Sequence, residues 1–162
     1  MDAQRGIARR MVIGLPREGL SPAWEKDFAG YPPAGVIVFA RDFRDLAELR
    51  RLTARLRERA RPRRIFIAID EEGGFVSQLG PHLVVPPAAM LLGRGAAPGD
   101  IPYLSRVTGE RLRALGLDWV FAPVADIHSE PRNPVIGPRA YGTTAAEVTQ
   151  RIGEALAGFR AA

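Results

Sequence analysis

Ile65-Phe66-Ile67-Ala68-Ile69-Asp70-Glu71-Glu72-Gly73-Gly74 is the stretch on which the reading of the chain turns. Its first five residues are apolar and mostly β-branched, with no polar alternation. That is the pattern of a strand buried on both faces, as in a parallel sheet covered by helices. The run stops at three carboxylates and a pair of glycines. Carboxylates at the C-terminal end of a parallel strand lie where α/β barrels and open α/β sheets place their ligand sites. Paired glycines let the backbone turn sharply and approach a ligand closely. A polar ligand site is the first expectation. The same carboxylates could instead cap the next helix or face solvent. Hard oxygen ligands would also suit Mg²⁺, although no phosphate-binding glycine loop accompanies them.

Working outward, Met11-Val12-Ile13-Gly14-Leu15 reads as a first short strand ended by Pro16. Ser21 is placed to cap a short helix with Pro22 at its first position, running through Trp24 and Phe28. Gly35 to Ala40 repeats the buried-strand pattern. Asp45 with Glu48 opens a helix whose Leu46, Leu49, Leu52 and Leu56 stripe one face. After the quoted strand comes a long loop from Phe75 to about Gly99, of a length uncommon unless functional. A helix from Ile101 follows, with Leu104, Val107, Leu112 and Leu115 facing inward and Gly116 ending it. Leu117 to Ala122 is a fourth strand closed by Pro123. A second long loop carries Asp126, His128, Arg132, Asn133, Arg139 and Tyr141. Thr144 and Glu147 then form a capping box, and Val148, Ile152, Leu156 and Phe159 stripe the last helix.

This βαβαβαβα order fits two architectures, the open doubly wound sheet and the closed eightfold barrel. A barrel needs about 250 residues, so 162 residues correspond to about its first four βα units. Composition narrows the function classes. There is no cysteine, which excludes disulfides and a thiolate nucleophile. The longest apolar runs are of strand length, far below the roughly 20 residues that span a bilayer. Met1-Asp2-Ala3-Gln4-Arg5 leads into no signal-peptide core, so a cytoplasmic protein without membrane contact is expected. The net charge of +5 invites a nucleic-acid partner, yet the basic residues are spread out. Their densest cluster, Arg61 to Arg64, has no interleaved aromatics for base stacking. No nucleic-acid partner is expected.

Four segments then agree in order and spacing: Gly35 to Asp42, Ile69 to Gly74, Phe121 to Asp126, and Asn133 to Gly142. Together they resemble the N-terminal half of the barrel in glycoside hydrolase family 3, and most of all its bacterial β-N-acetylglucosaminidases of cell-wall recycling. The resemblance spans nearly the whole chain, as a single incomplete domain over residues 1–162. It implies an α/β fold of the (β/α)8 TIM-barrel type, represented by about the first four βα units. It also implies a carbohydrate substrate containing N-acetylglucosamine, with no cofactor and no metal ligand. By the same resemblance Asp70 matches the carboxylate that grips sugar hydroxyls, since an ionised acid accepts two hydroxyl bonds at once. Arg139, in Val135-Ile136-Gly137-Pro138-Arg139, matches the arginine that reaches the same sugar, its rigid fork donating to a hydroxyl or to Asp70. A plain loop salt bridge is the alternative for Arg139. Where the family has two arginines after the glycine pair, this chain has Phe75 and Gln78. Gln78 can still hydrogen-bond a sugar, without charge.

The family's Lys-His-Phe-Pro-Gly-His segment, with its acid/base histidine, follows the fourth helix, and its aspartate nucleophile lies later still. The sequence stops at Ala162 before either, so no residue here is assigned a catalytic role. Retaining hydrolysis needs a nucleophile and an acid/base on opposite sides of the scissile bond. Asp126 and His128 could form a substitute dyad or metal pair, but anchoring their loop is the favoured role. The expectation is therefore part of a β-N-acetylhexosaminidase that supplies sugar-binding residues and is inactive alone. The alternative is a non-catalytic carbohydrate-binding or assembly module. Unpaired edges on the first and fourth strands, and exposure of Val36, Val38, Ile67 and Val120, would favour a homodimer or a separate C-terminal half.

Overall fold

The computed structural model describes residues 3–162, so Met1 and Asp2 of the N-terminal reading lie outside the described residues. In chain order the elements are α1 (Ala3–Ala8), β1 (Val12–Gly14), α2 (Pro22–Gly30), β2 (Gly35–Val38), α3 (Leu46–Ala60) and β3 (Phe66–Ile69). There follow β4 (Glu71–Gly73), β5 (Val76–Ser77), α4 (Ala89–Gly95), α5 (Asp100–Ala114), β6 (Trp119–Val120) and α6 (Ala145–Ala161). Two units emerge. One runs through Ile69 and takes in Ala114–Val120, and the other comprises Asp70–Arg113 with Phe121–Ala162.

The first unit holds a parallel sheet in the order β1-β2-β3-β6. Sequential parallel strands with intervening helices are what the βα repeat predicts, and this is the arrangement with which an eightfold barrel begins. Val36 pairs with Ile67 and Val38 with Ile69, so these four share a face. All four have 0% exposure. α3 is built as its residues require: the Asp45 carboxylate accepts the Glu48 N–H at 2.7 Å, and Leu49 and Leu56 are buried. Asp118 joins three elements. Its side chain accepts from Arg57 at 2.6 Å and from the Ile67 N–H at 3.2 Å, while its own N–H donates to the Ile67 carbonyl.

The opposite face of the sheet corrects two expectations. Phe66 is 53% exposed and Trp119 41%, their rings meeting edge to face at 6.1 Å. Ala68, between Ile37 and Trp119 in the register, is 0% exposed. The quoted strand is thus fully covered on the Ile67–Ile69 face and open on the other at Phe66. Of the residues expected to lose their core, Val36, Val38 and Ile67 are fully buried and Val120 is half-buried. Period-two alternation separates the two sides of a strand, but it does not say which side the helices take.

In the second unit the capping box forms as read, with Thr144 Oγ1 accepting the Glu147 N–H and Glu147 accepting the Thr144 N–H. The packing seam differs. Val148 is buried as expected, but Leu156 is 38% exposed and α6 buries Ala155 and Gly158 in its place. A Cβ on Gly158 would overlap the Pro102 carbonyl oxygen of α5, so small residues set this approach. α5 likewise buries Ile101, Ser105, Thr108, Gly109 and Leu112, while Leu104 and Val107 stay half-buried. Tyr141, Ala89, Ile101 and Ala155 form a buried apolar cluster with Leu92 and Ile152 against it. The expected long loop after Gly74 is divided by β5 and by α4, whose N-cap Ala88 has no capping side chain to announce it.

Candidate functional site

The carboxylate triplet divides between environments. Asp70 lies just before β4 and feels the Glu72 charge, while Glu71, the first residue of β4, is turned into the interior. Glu71 is 3% exposed and takes no part in an open site. It accepts the Ser77 hydroxyl at 2.6 Å and the Leu79 N–H at 3.0 Å, and Ser77 Oγ in turn accepts the Gly80 N–H. Burial pushes the Glu71 carboxyl above its ordinary value, and these hydrogen bonds oppose that shift. Glu71 is therefore the acid that ties the β4–β5 hairpin to the segment beyond it.

The glycine pair also has a structural explanation. Gly73 and Gly74 adopt φ of 87° and 55°, where side chains are disfavoured. A Cβ on Gly73 would stand 2.7 Å from the Pro86 carbonyl oxygen, and one on Gly74 2.7 Å from the Ala88 Cα. The close approach expected toward a ligand is toward the chain's own 86–88 segment.

Glu72 supplies a partner that sequence reasoning had not assigned. Its oxygens accept Arg139 Nε at 2.9 Å and Nη2 at 2.7 Å, a bidentate pair in which the acid side chain is only 9% exposed. Arg139 Nη1 donates to the Val135 carbonyl at 3.3 Å. The protein partner expected for Arg139 was Asp70, and the observed ion pair goes to Glu72, a salt bridge of the kind the alternative reading named. Asp70 remains half-buried beside this pair. Burial pushes its carboxyl up, the Glu72 charge adds to that, and the Arg139 guanidinium pulls it back down. Gln78 is drawn to Asp70 through the main chain, its N–H donating to the Asp70 carbonyl at 3.3 Å. Phe75 points away at 86% exposure. Asp126 is exposed and close enough for its charge to reach Arg139.

His128 is held by its N–H to the Gly142 carbonyl at 3.1 Å, as a loop anchor would be. Its buried Nδ1 has no hydrogen-bond partner among the described residues. Among the described residues no three His, Cys, Asp or Glu side chains gather as a metal site would require. The exposed side of Asp70 is what the site offers chemically. It is an acceptor of hydroxyl donors, flanked by a guanidinium with N–H groups to spare.

The chain belongs to glycosyl hydrolase family 3: the N-terminal domain of that family matches residues 7–162. A β-hexosaminidase A of Pseudoalteromonas piscicida is 31% identical over 154 residues, covering 90% of this chain and 25% of the relative. A β-hexosaminidase of Neisseria meningitidis is 36% identical over 114 residues, covering 66% of this chain and 31% of the relative. Among solved structures, the family 3 β-N-acetylglucosaminidase of a Paenibacillus species superposes with a TM-score of 0.88 at 32% identity. That match covers 99% of this chain and 31% of the other. NagZ of Neisseria gonorrhoeae in complex with N-trifluoroacetyl-D-glucosamine matches with a TM-score of 0.82 at 25% identity, covering 93% of this chain and 46% of the other. The chain thus spans from a quarter to just under half of the length of these relatives, 25% to 46%.

Proposed function

We propose that this chain is the N-terminal part of a β-N-acetylhexosaminidase-like glycoside hydrolase acting on N-acetylglucosamine-containing sugars, in which Asp70, Gln78 and Arg139 line part of the sugar site. One observation carries the reading. Asp70 is left half-open beside the Glu72–Arg139 pair, while its neighbour Glu71 is consumed by the fold. Three N–H groups of Arg139 are engaged, on Nε, Nη2 and Nη1. A guanidinium carries five, so two remain for hydroxyls, and Glu72 fixes the plane in which they point. Asp70 and Glu72 do not serve as the nucleophile and acid/base. They lie close enough for their charges to interact, and Glu72 is neutralised by its arginine. These 162 residues on their own are expected not to turn over an aryl N-acetylglucosaminide.

Cell-wall recycling in the cytoplasm is the setting we propose, on the strength of the family resemblance. Among the described residues no helix is long and apolar enough to cross a membrane. The exposed Phe66–Trp119 face supports assembly with a second copy or with a separate C-terminal half, which light scattering of the chain alone and with that half would distinguish.

An NMR titration with N-acetylglucosamine tests the site. Asp70→Ala and Arg139→Ala should each weaken binding by about tenfold or more, as loss of a charged hydrogen-bond partner worth about 1.5–3 kcal/mol requires. Glu72→Gln should weaken it less, because the guanidinium stays but loses its orientation. Binding unchanged in both alanine variants would overturn the assignment.

A further inference from the structure

The first unit contains a cleft of about 790 Å³ that the sugar site does not use. It opens beside the chain leaving β1 and β2 and the flank of α3. Its volume falls in the range of small-molecule sites, about 300–1,000 Å³. Its walls carry Arg17, Arg41, Arg51 and Arg55 against only Asp42 and Glu48.

The charge balance inside the cleft is more lopsided than this count. The Asp42 carboxylate is 5% exposed and accepts the Phe39 N–H at 2.8 Å. Glu48 is taken by Arg44, whose N–H and Nε both donate to it. Arg55 is paired outward with Glu25. That leaves Arg17 and Arg51, with Arg41 only loosely paired. Arg41 lies over the Phe39 ring at 4.6 Å, with Asp42 no closer than 3.7 Å. The Arg17 and Arg51 side chains form no ion pair within 4 Å among the described residues, although the Arg51 charge reaches Asp45. Exposed arginines on a convex surface are simply solvated, but a concave wall of one sign focuses potential onto whatever enters. Leu15, Leu20 and Leu52 supply apolar lining between the charges. Guanidinium forks match the oxygens of carboxylates and phosphates.

We infer that this cleft is a second binding site, for a small molecule with a carboxylate or phosphate head and an apolar body. The head would sit among Arg17, Arg41 and Arg51 and the body against Leu15 and Leu52. This site stands apart from the sugar reading and does not depend on it.

The 162-residue chain would be titrated by NMR with phenyl phosphate, benzoate, inorganic phosphate and phenol. Saturable shifts centred on Gly19, Leu20 and Leu52 are expected, with phenyl phosphate or benzoate binding more tightly than inorganic phosphate or phenol. The tighter of the two organic anions then identifies the head group. Arg17→Glu with Arg51→Glu should weaken binding by about tenfold or more. Arg94→Glu with Arg160→Glu changes net charge equally but lies outside the cleft, and should leave binding within about twofold. Equal loss in the two double variants would reduce the effect to general charge attraction and overturn the proposal. Failure of every anion to saturate, or shifts elsewhere, would overturn it too. N-acetylglucosamine binding should be the same in the cleft variant as in the parent, so the outcome is separate from that of the sugar site.

Discussion

In the sheet-bearing unit, position follows period: Val36, Val38, Ile67 and Ile69 are buried together because they alternate along paired strands, and Leu49 and Leu56 because they recur along α3. In the unit that begins at Asp70, position follows single atoms. Glu71 holds its hairpin through one hydroxyl and one N–H, Arg139 is placed by two oxygens of Glu72, and α5 meets α6 across Gly158. The first kind of order is spread over many apolar contacts, each replaceable by a similar side chain. The second depends on particular groups, and the proposed sugar site is drawn from it. A site needs irregular backbone to aim its side chains, and irregular backbone must be pinned by specific hydrogen bonds.

Substitutions can break this contrast. The largest effect is expected at Leu49→Ala, where a side chain with 0% exposure is emptied; urea denaturation should show a loss of about 3–4 kcal/mol. Leu52→Ala, half-buried on the same helix, should cost well under half of that, and equal losses would mean that burial does not organise this unit.

Next comes Gly93→Ala in α4, whose added Cβ would collide with the Tyr141 carbonyl oxygen, for a loss of about 3 kcal/mol. Gly95→Ala, with nothing within 4 Å of its Cβ, is the matched control and should change stability by less than about 0.5 kcal/mol. A mild Gly93 variant would show that the second unit tolerates change as the first does.

Glu71→Ala should cost about 2 kcal/mol, since it leaves the buried Leu79 N–H unpaired and frees Ser77. Hydrogen exchange should report the damage first at Leu79 and Gly80. Protection unchanged there would remove Glu71 from its role as the hairpin's anchor.

The smallest effect distinguishes function from stability. Asp70 has its pKa raised by burial and by the Glu72 charge, so its ionised form is disfavoured in the folded state. Its contribution to stability is best at low pH and declines as pH rises above its ordinary value of 3.8. Asp70→Asn should therefore melt slightly higher than the parent at neutral pH, by less than about 1 kcal/mol given its solvent contact. The gap should close in acid, while sugar binding is lost. A parent that is the more stable at neutral pH would reverse the sign and place Asp70 among structural acids.

Local signals made much of this legible. Four apolar runs, Ser21, Asp45 and the Thr144–Glu147 box each specify their element through a propensity or a cap acting within a few residues. The candidate acid was legible too, because Asp70 ends a buried strand. Tertiary structure alone decided three things. It chose which face of the sheet is covered, leaving Phe66 and Trp119 exposed, since alternation is symmetric between the faces. It set the seam of α5 on α6 at Ala155 and Gly158 rather than at Leu156, because backbone approach favours small residues that periodicity does not weigh. It divided three adjacent carboxylates into an open acid, a buried brace and an arginine's partner, since Ser77 and Arg139 reach them only once the chain has folded.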